Sequence, residues 1–225
     1  MSSPFIQCIA LSKQYSRNNQ IFNAITDVNL HVSRNEALLI KGRSGAGKST
    51  LLNLMCGLIQ PSGGKVIIAG NCISDLSNNS LSKLLLNNIG IIFQSFNLLP
   101  TYTIYENIEI ALVPKKLNRD LIRRIIMPYL EQFDLTDKAS LLPSELSVGQ
   151  QQKVAILRTL VKNPSVIVAD EPTGSVDDIS ATEILDHLIR LKQMRDITLI
   201  MASHGNIPEN YADRIIEIEN GIIKS

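Results

Sequence analysis

Residues 37–61 read ALLIKGRSGAGKSTLLNLMCGLIQP. ALLI followed by Lys41 and a glycine has the pattern of a short strand covered on both faces, as strands of a parallel sheet are. STLLNLMCGLIQP reads as a helix, with Leu51, Leu54, Met55 and Leu58 on one stripe and Pro61 just past its expected end. Between the two, GRSGAGKST matches GxxxxGK[ST] in the strand-then-helix setting that gives the pattern its meaning. Gly42, Arg43, Ser44, Gly45, Ala46 and Gly47 would form a loop whose amides curl around a β-phosphate. Lys48 can reach the β/γ oxygens, the Ser49 hydroxyl can ligate Mg²⁺, and Thr50 can meet the α-phosphate. The helix start points its dipole at the same anion.

Further along, SVIVADEP is a second buried strand that ends in carboxylates. An Asp–Glu pair at a strand end is ordinarily just a polar edge. Beside a phosphate loop, Asp170 can hold the Mg²⁺ shell, and Glu171 can orient and deprotonate an attacking water. DITLIMASH is a third buried strand, ending at His204. A lone histidine is most often structural, but parallel strand ends converge on the ligand crevice, which places His204 near a γ-phosphate. Gln94 follows a further apolar, strand-like run in IIFQSF.

The remaining pattern completes an α/β chain with a parallel core sheet. FIQCIALSK and residues 24–32 alternate as strands, and GGKVIIAG follows as another. Between residues 98 and 161 the pattern turns helical, with candidate helices at 105–112, 120–133 and 147–161. Pro100, Pro114 and Pro143 punctuate this region, and Pro128, inside a helical pattern, is expected to kink or split its helix. Residues 181–194 are amphipathic, and RIIEIENGIIKS reads as a hairpin with an Asn–Gly turn that closes the chain without a further C-terminal domain.

The 225 residues carry 22 basic and 21 acidic side chains, a net charge of +1, which gives no electrostatic case for nucleic acid. Cys8, Cys56 and Cys72 are isolated, without a CxxC or paired His ligands, and read as small buried hydrophobes in a reducing compartment. The N-terminus lacks the basic start and apolar run of a signal peptide. Residues 84–105 are uncharged but too rich in Asn, Gln, Ser and Pro for a bilayer, so they are expected to form a contact surface on a soluble chain.

ELSVGQQQKVAI, residues 145–156, has the spacing of a capping box, Ser147 with Gln150, and Gly149 keeps its first turn bare. It is a second helix start suited to an anion.

In order and spacing, these motifs resemble those of the ATP-binding subunit of ABC transporters over nearly the whole chain. GRSGAGKST looks like the Walker A motif, VIVADEP like Walker B, Gln94 like the Q-loop and His204 like the switch histidine. LSVGQ looks like the LSGGQ signature, Ser175–Val176–Asp177 like the D-loop, and Tyr15 like the aromatic that stacks on adenine. The resemblance implies a P-loop NTPase core with a mostly parallel sheet, an antiparallel β subdomain and a helical insert subdomain in a single domain. Core and β subdomain would take residues 1–95 and 162–225, and the insert 96–161. It implies ATP and Mg²⁺ as cofactors. Lys48, Gln94, Glu171 and His204 would be catalytic, and Ser49, Gln94 and Asp170 would hold the metal. Ser147, Gly149, Gln150 and Asp177 would also bind nucleotide, the LSVGQ residues meeting that of a second copy of the chain. Transmembrane permease subunits would hold the protein at the cytoplasmic face of the membrane, one of their short helices docking after Gln94, on residues 96–105.

FQSFNLLPTYTIYENI and EPTGSVD are closest to the lipoprotein-release and macrolide-export ATPases. Amino-acid importer subunits, non-transport ABC ATPases of DNA repair or ribosomes, and a regulatory subunit with little turnover are the alternatives. Val148 in place of the first signature glycine is the one feature that favours the last of these, and the intact Lys48, Asp170, Glu171 and His204 argue against it. Lys153 for arginine and Ser203–His204–Gly205 for Thr-His-Asp are the other departures.

Overall fold

A computed structural model describes residues 5–17, 20–205 and 207–224. In chain order the elements are β1 (Ile6–Arg17), β2 (Gln20–Val32), β3 (Ala37–Lys41), α1 (Lys48–Met55), β4 (Gly63–Ile68), β5 (Asn71–Cys72), α2 (Asn78–Asn88) and β6 (Ile89–Ile92). Then come α3 (Ile104–Glu109), α4 (Arg119–Gln132), α5 (Val148–Leu160), β7 (Val166–Asp170), α6 (Asp178–Arg195), β8 (Thr198–Ser203), β9 (Arg214–Glu219) and β10 (Ile222–Lys224).

The strands form two sheets. One has the order β2-β1-β4-β5 and is antiparallel; the other has the order β10-β9-β3-β8-β7-β6 and is parallel apart from the β9–β10 hairpin. The fold is therefore α/β, with a mixed larger sheet and a separate antiparallel sheet. Alternate residues of the larger sheet enter different cores, because successive side chains of a strand point to opposite faces. Leu39, Ile92, Ile167, Ala169, Leu199 and Met201 join a core with residues of α3, α4, α5 and α6. Leu38, Ile40, Val166, Val168, Ile200 and Ala202 face α1 and the antiparallel sheet. That two-sided burial is why ALLI, VIVA and TLIMA carry no polar alternation.

The parallel register brings the strand ends together: Lys41 pairs with Ser203, and Asp170 with Ala202. The ends of β3, β6, β7 and β8 and the segments just after them carry the candidate residues from Gly42 to Thr50 together with Gln94, Asp170, Glu171 and His204.

One local expectation is corrected, one is narrowed, and one helix appears where the sequence pattern assigned none. The first helix stops at Met55, and Leu58 lies outside it, 45% exposed. Gly57, at φ 66°, turns the chain left-handed so that its amide reaches Leu54 O (3.0 Å) and the Leu58 amide reaches Asn53 O (2.9 Å). This Schellman closure is a stop signal that outweighs the apolar stripe. Pro128 does not split its helix into two elements, since α4 runs through it. It sits on the exposed side, where the carbonyl it leaves unpaired meets water. Finally, residues 78–88 form a helix. Its sequence, NNSLSKLLLNN, has no fully buried residue, although Leu81, Leu84 and Leu85 pack partly against the core.

Cys8 and Cys56 are buried, and burial pushes both thiols up to about 12, as expected of small core residues. Cys72 is half-buried. Among the described residues no helix is long and apolar enough to cross a membrane.

Candidate nucleotide site

The phosphate loop bridges β3 and α1. Gly45 (φ 78°) and Gly47 (φ 108°) take left-handed conformations that a side chain would strain. At Gly47 a Cβ would also lie 2.6 Å from Ala24 O, so β2 and the hairpin tip set the height of the loop. The Gly221 amide donates to Ala46 O (2.9 Å), and the Thr26 amide donates to Gly221 O (2.9 Å). Gly42 presses on Ile218, and Ala46 is buried beneath the loop, while Arg43 points outward.

Above the loop opens a cleft of about 800 Å³. It brings together Tyr15, Ser44, Gly45, Gly47, Lys48, Ser49, Thr50, Gln94, Glu171 and His204. Lys48 is 7% exposed; its ammonium donates to Gly42 O (2.8 Å) and Arg43 O (3.3 Å) and lies 3.4 Å from Glu171 Oε1. The other Glu171 oxygen, Oε2, sits 2.9 Å from His204 Nδ1. Glu171 itself adopts φ 49°, unusual for a residue with a side chain, and its amide donates to Ala202 O (3.0 Å). Such backbone strain is characteristic of functional positions. It swings the carboxylate out of the strand line and into the cleft.

Asp170, at the end of β7, has Oδ1 buried with no hydrogen-bond partner. Burial pushes its carboxyl above the usual range, the Ser49 hydroxyl pulls it down, the Glu171 charge raises it further and Lys48 opposes both.

Tyr15 stacks on Phe22, with ring centroids 5.5 Å apart, and Lys13 Nζ lies 5.2 Å from the Tyr15 ring centre. Phe22, Asn23, Ala24, Asn220 and Gly221 also line the cleft, and the sequence reading named none of them as site residues. Two signals were there: Phe22 follows Tyr15 at hairpin distance, and the Asn–Gly turn was recognised but not placed.

Ser147, Gly149, Gln150 and Asp177 do not line this cleft. The capping box forms as expected: the Gln150 amide donates to Ser147 Oγ (3.3 Å) and the Ser147 amide to Gln150 Oε1 (3.0 Å). The amides of Val148 and Gly149 precede the first bond of the helix ladder and point out of its end. Val148, 47% exposed, stands on that turn without blocking the cap. Gly149 is buried against α6, where a Cβ would come 2.9 Å from Ser180 Oγ. Ser180 is held in turn by Asp177, whose Oδ1 accepts from the Ser180 amide (3.0 Å) and Oδ2 from its hydroxyl (2.8 Å). Those two bonds hold the Asp177 carboxyl below its usual range. In this chain Asp177 is a helix cap that packs, through Ser180, on the signature turn.

A second, shallower groove of about 370 Å³ lies between Phe96, Leu98 and Pro100 on one side and Pro143, Ser144 and Gln151 on the other.

Comparison with known proteins agrees with this geometry. Residues 25–174 match the family described as ABC transporter. The chain is 38% identical over 208 residues to the ABC transporter ATP-binding protein YtrE of Bacillus subtilis, covering 92% of this chain and 90% of that one. It is 34% identical over 217 residues to the lipoprotein-releasing system ATP-binding protein LolD of Ehrlichia ruminantium, covering 96% and 95%. Its fold superposes with a TM-score of 0.92, at 33% identity and 98% and 97% coverage, on the dimeric post-hydrolysis structure of the ATP-binding cassette MJ0796 bound to ADP and Pi. That protein is from Methanocaldococcus jannaschii. A phosphate loop, a carboxylate–histidine pair facing it and a capped signature turn on a separate helix, in a chain this similar along its length, make the protein a member of the ABC transporter family, an ATP-binding ATPase subunit.

Proposed function

We propose that two copies of this chain close on two ATP molecules, each held between the phosphate loop of one copy and the Ser147–Gln150 turn of the other. One observation carries this reading: the signature turn is fully built yet lies outside the cleft of its own chain. A two-fold pairing lets both turns be used at once.

Within each site, Tyr15 meets the base, and the loop amides from Gly42 to Thr50 hold the phosphates. Lys48 exchanges the carbonyls of Gly42 and Arg43 for β/γ oxygens. That exchange frees Glu171 to orient and deprotonate water, with His204 fixing the carboxylate and facing the γ-phosphate. The residues fit Mg²⁺: the unpartnered Asp170 oxygen and the adjacent Ser49 hydroxyl are hard oxygen donors, and Gln94 stands at the same cleft. When bound, the cation neutralises charge building on the phosphates.

Moving a two-state equilibrium from 1:99 to 99:1 takes about 5.5 kcal/mol. The Ser147 hydroxyl and Gly149 amide of the second copy, at roughly 1.5–3 kcal/mol per bond to a charged group, supply that over two sites. They lose it when the γ-phosphate leaves.

The groove at Phe96 and Leu98 would take a short segment of a membrane permease, placing the subunit at the cytoplasmic face. By its likeness to LolD, the transport would be of the export or lipoprotein-release type. Glu171→Gln tests the central claim. It should bind ATP, lose turnover and sediment as a dimer with ATP and Mg²⁺. Single chains under those conditions, with nucleotide bound, would overturn it.

A further inference from the structure

The loop that carries Gln94 into the cleft is held from behind by α5. Arg158, half-buried near the end of that helix, donates through Nη2 to Phe96 O (2.7 Å) and through Nη1 to Asn97 O (2.6 Å). Asn97 adopts φ 50°, a left-handed turn that lets two successive carbonyls meet one guanidinium. A planar fork with two parallel donors suits such a pair, whereas a lysine ammonium would serve it as a point charge. Two neighbours continue the row on the other side of Gln94: Thr159 Oγ1 donates to Ile91 O (2.9 Å), and Lys162 Nζ to Ile89 O (3.0 Å). Beyond the loop, buried Asn107 takes over at Leu99. Between Phe93 and Leu98 the Arg158 bonds are the long-range polar tether, alongside a local Ser95 Oγ to Asn97 Oδ1 contact of 3.1 Å.

We propose that Arg158 is a positioning residue for Gln94, tying that side chain's place in the cleft to the helix whose other end is the Ser147 turn. Movement of α5 then moves Gln94, and anything docked on Phe96 and Leu98 presses on both. The proposal rests on the reading that Gln94 contributes to turnover.

The test is a double-mutant cycle on the full chain, with ATPase measured at saturating Mg²⁺-ATP. Arg158→Lys should lower kcat about fivefold or more, with KM within about twofold, and in a Gln94→Ala background the same change should cost less than about 1.5-fold, as coupled residues require. Hydrogen exchange over residues 95–99 should quicken in Arg158→Lys while α4 and α6 keep wild-type protection. Asn97→Val, whose branched side chain disfavours the left-handed turn that presents both carbonyls, should give the same kinetic pattern without altering α5 and serves if Arg158→Lys does not fold. If Gln94→Ala alone left kcat at wild type, the role given to Gln94 would fall, and the proposal with it. If Gln94→Ala lowered kcat but the Arg158→Lys loss persisted undiminished in that background, only the proposal would fall.

Discussion

His204 Nδ1 lies 2.9 Å from Glu171 Oε2. The contact orients the imidazole so that Nε2 is left for the cleft, and it gives Glu171 a partner on the side away from Lys48. His204→Ala should therefore reduce kcat about a hundredfold, the usual scale for an acid–base or positioning group at the reacting centre, with nucleotide affinity within about threefold. Steady-state ATPase alongside binding of a fluorescent ATP analogue reads both quantities. Weakened nucleotide affinity with kcat unchanged would assign His204 to ground-state binding instead.

Asp170 gives a prediction of opposite sign for stability and activity. Its folded carboxyl sits above its ordinary range, chiefly through burial, so the folded state favours the protonated form. The stability it contributes is present below the ordinary carboxylate range and is lost as pH rises through the raised value. At neutral pH the charged group therefore costs stability until a cation is bound. Asp170→Asn should raise the melting temperature of the nucleotide-free protein at pH 7, remove most of that gain at pH 4, and abolish ATPase. A lower melting temperature at pH 7 would show that the Ser49 and Lys48 contacts outweigh burial.

Asn107 is fully buried, and its amide serves four backbone groups: Oδ1 accepts from the Leu99 amide (2.7 Å), and the two N–H groups of Nδ2 are shared among Leu99 O (3.0 Å), Tyr102 O (2.9 Å) and Thr103 O (3.0 Å). Asn107→Ala leaves those backbone groups unpaired and should cost about 2–4 kcal/mol in urea unfolding. Asn107→Asp, which keeps the acceptor and loses the donors, should not rescue it.

Val148 stands exposed on a cap that forms without it. Val148→Gly should change stability by less than about 1 kcal/mol. In the Glu171→Gln background it should tighten ATP-dependent dimerisation a few-fold, because the branched side chain stands beside the two outward amides. Sedimentation velocity across a protein titration measures this, and an unchanged dimerisation constant would remove Val148 from the interface.

The residues that sequence reasoning placed best were those whose local chemistry is self-contained. GRSGAGKST needs only a strand before it and a helix after it, and the Ser147–Gln150 box is decided within four residues. Asp170, Glu171 and His204 were reachable because strand ends in a parallel sheet must converge. What escaped depended on partners distant in sequence. Residues 78–88 carry only a short stripe, Leu81, Leu84 and Leu85, and bury none of it fully, and Phe22 and the Asn220–Gly221 tip become cleft walls only when two sheets are brought together. The clamp of Arg158 on Phe96 and Asn97 spans about sixty residues and has no periodicity at all. Leu58 is misjudged for the converse reason: its stripe is legible, but the Gly57 turn that ends the helix before it decides its place.

The parallel sheet is a shared wall between the two cores, and adjacent side chains on one strand belong to different rooms. Truncating Leu38 would loosen the bed beneath the phosphate loop, whereas truncating Leu39, its next neighbour, would slacken the helices that carry the signature turn. A residue-by-residue scan along β3, β7 and β8 should therefore give phenotypes that swing, at every second position, between weakened nucleotide capture and weakened partnering of the two copies.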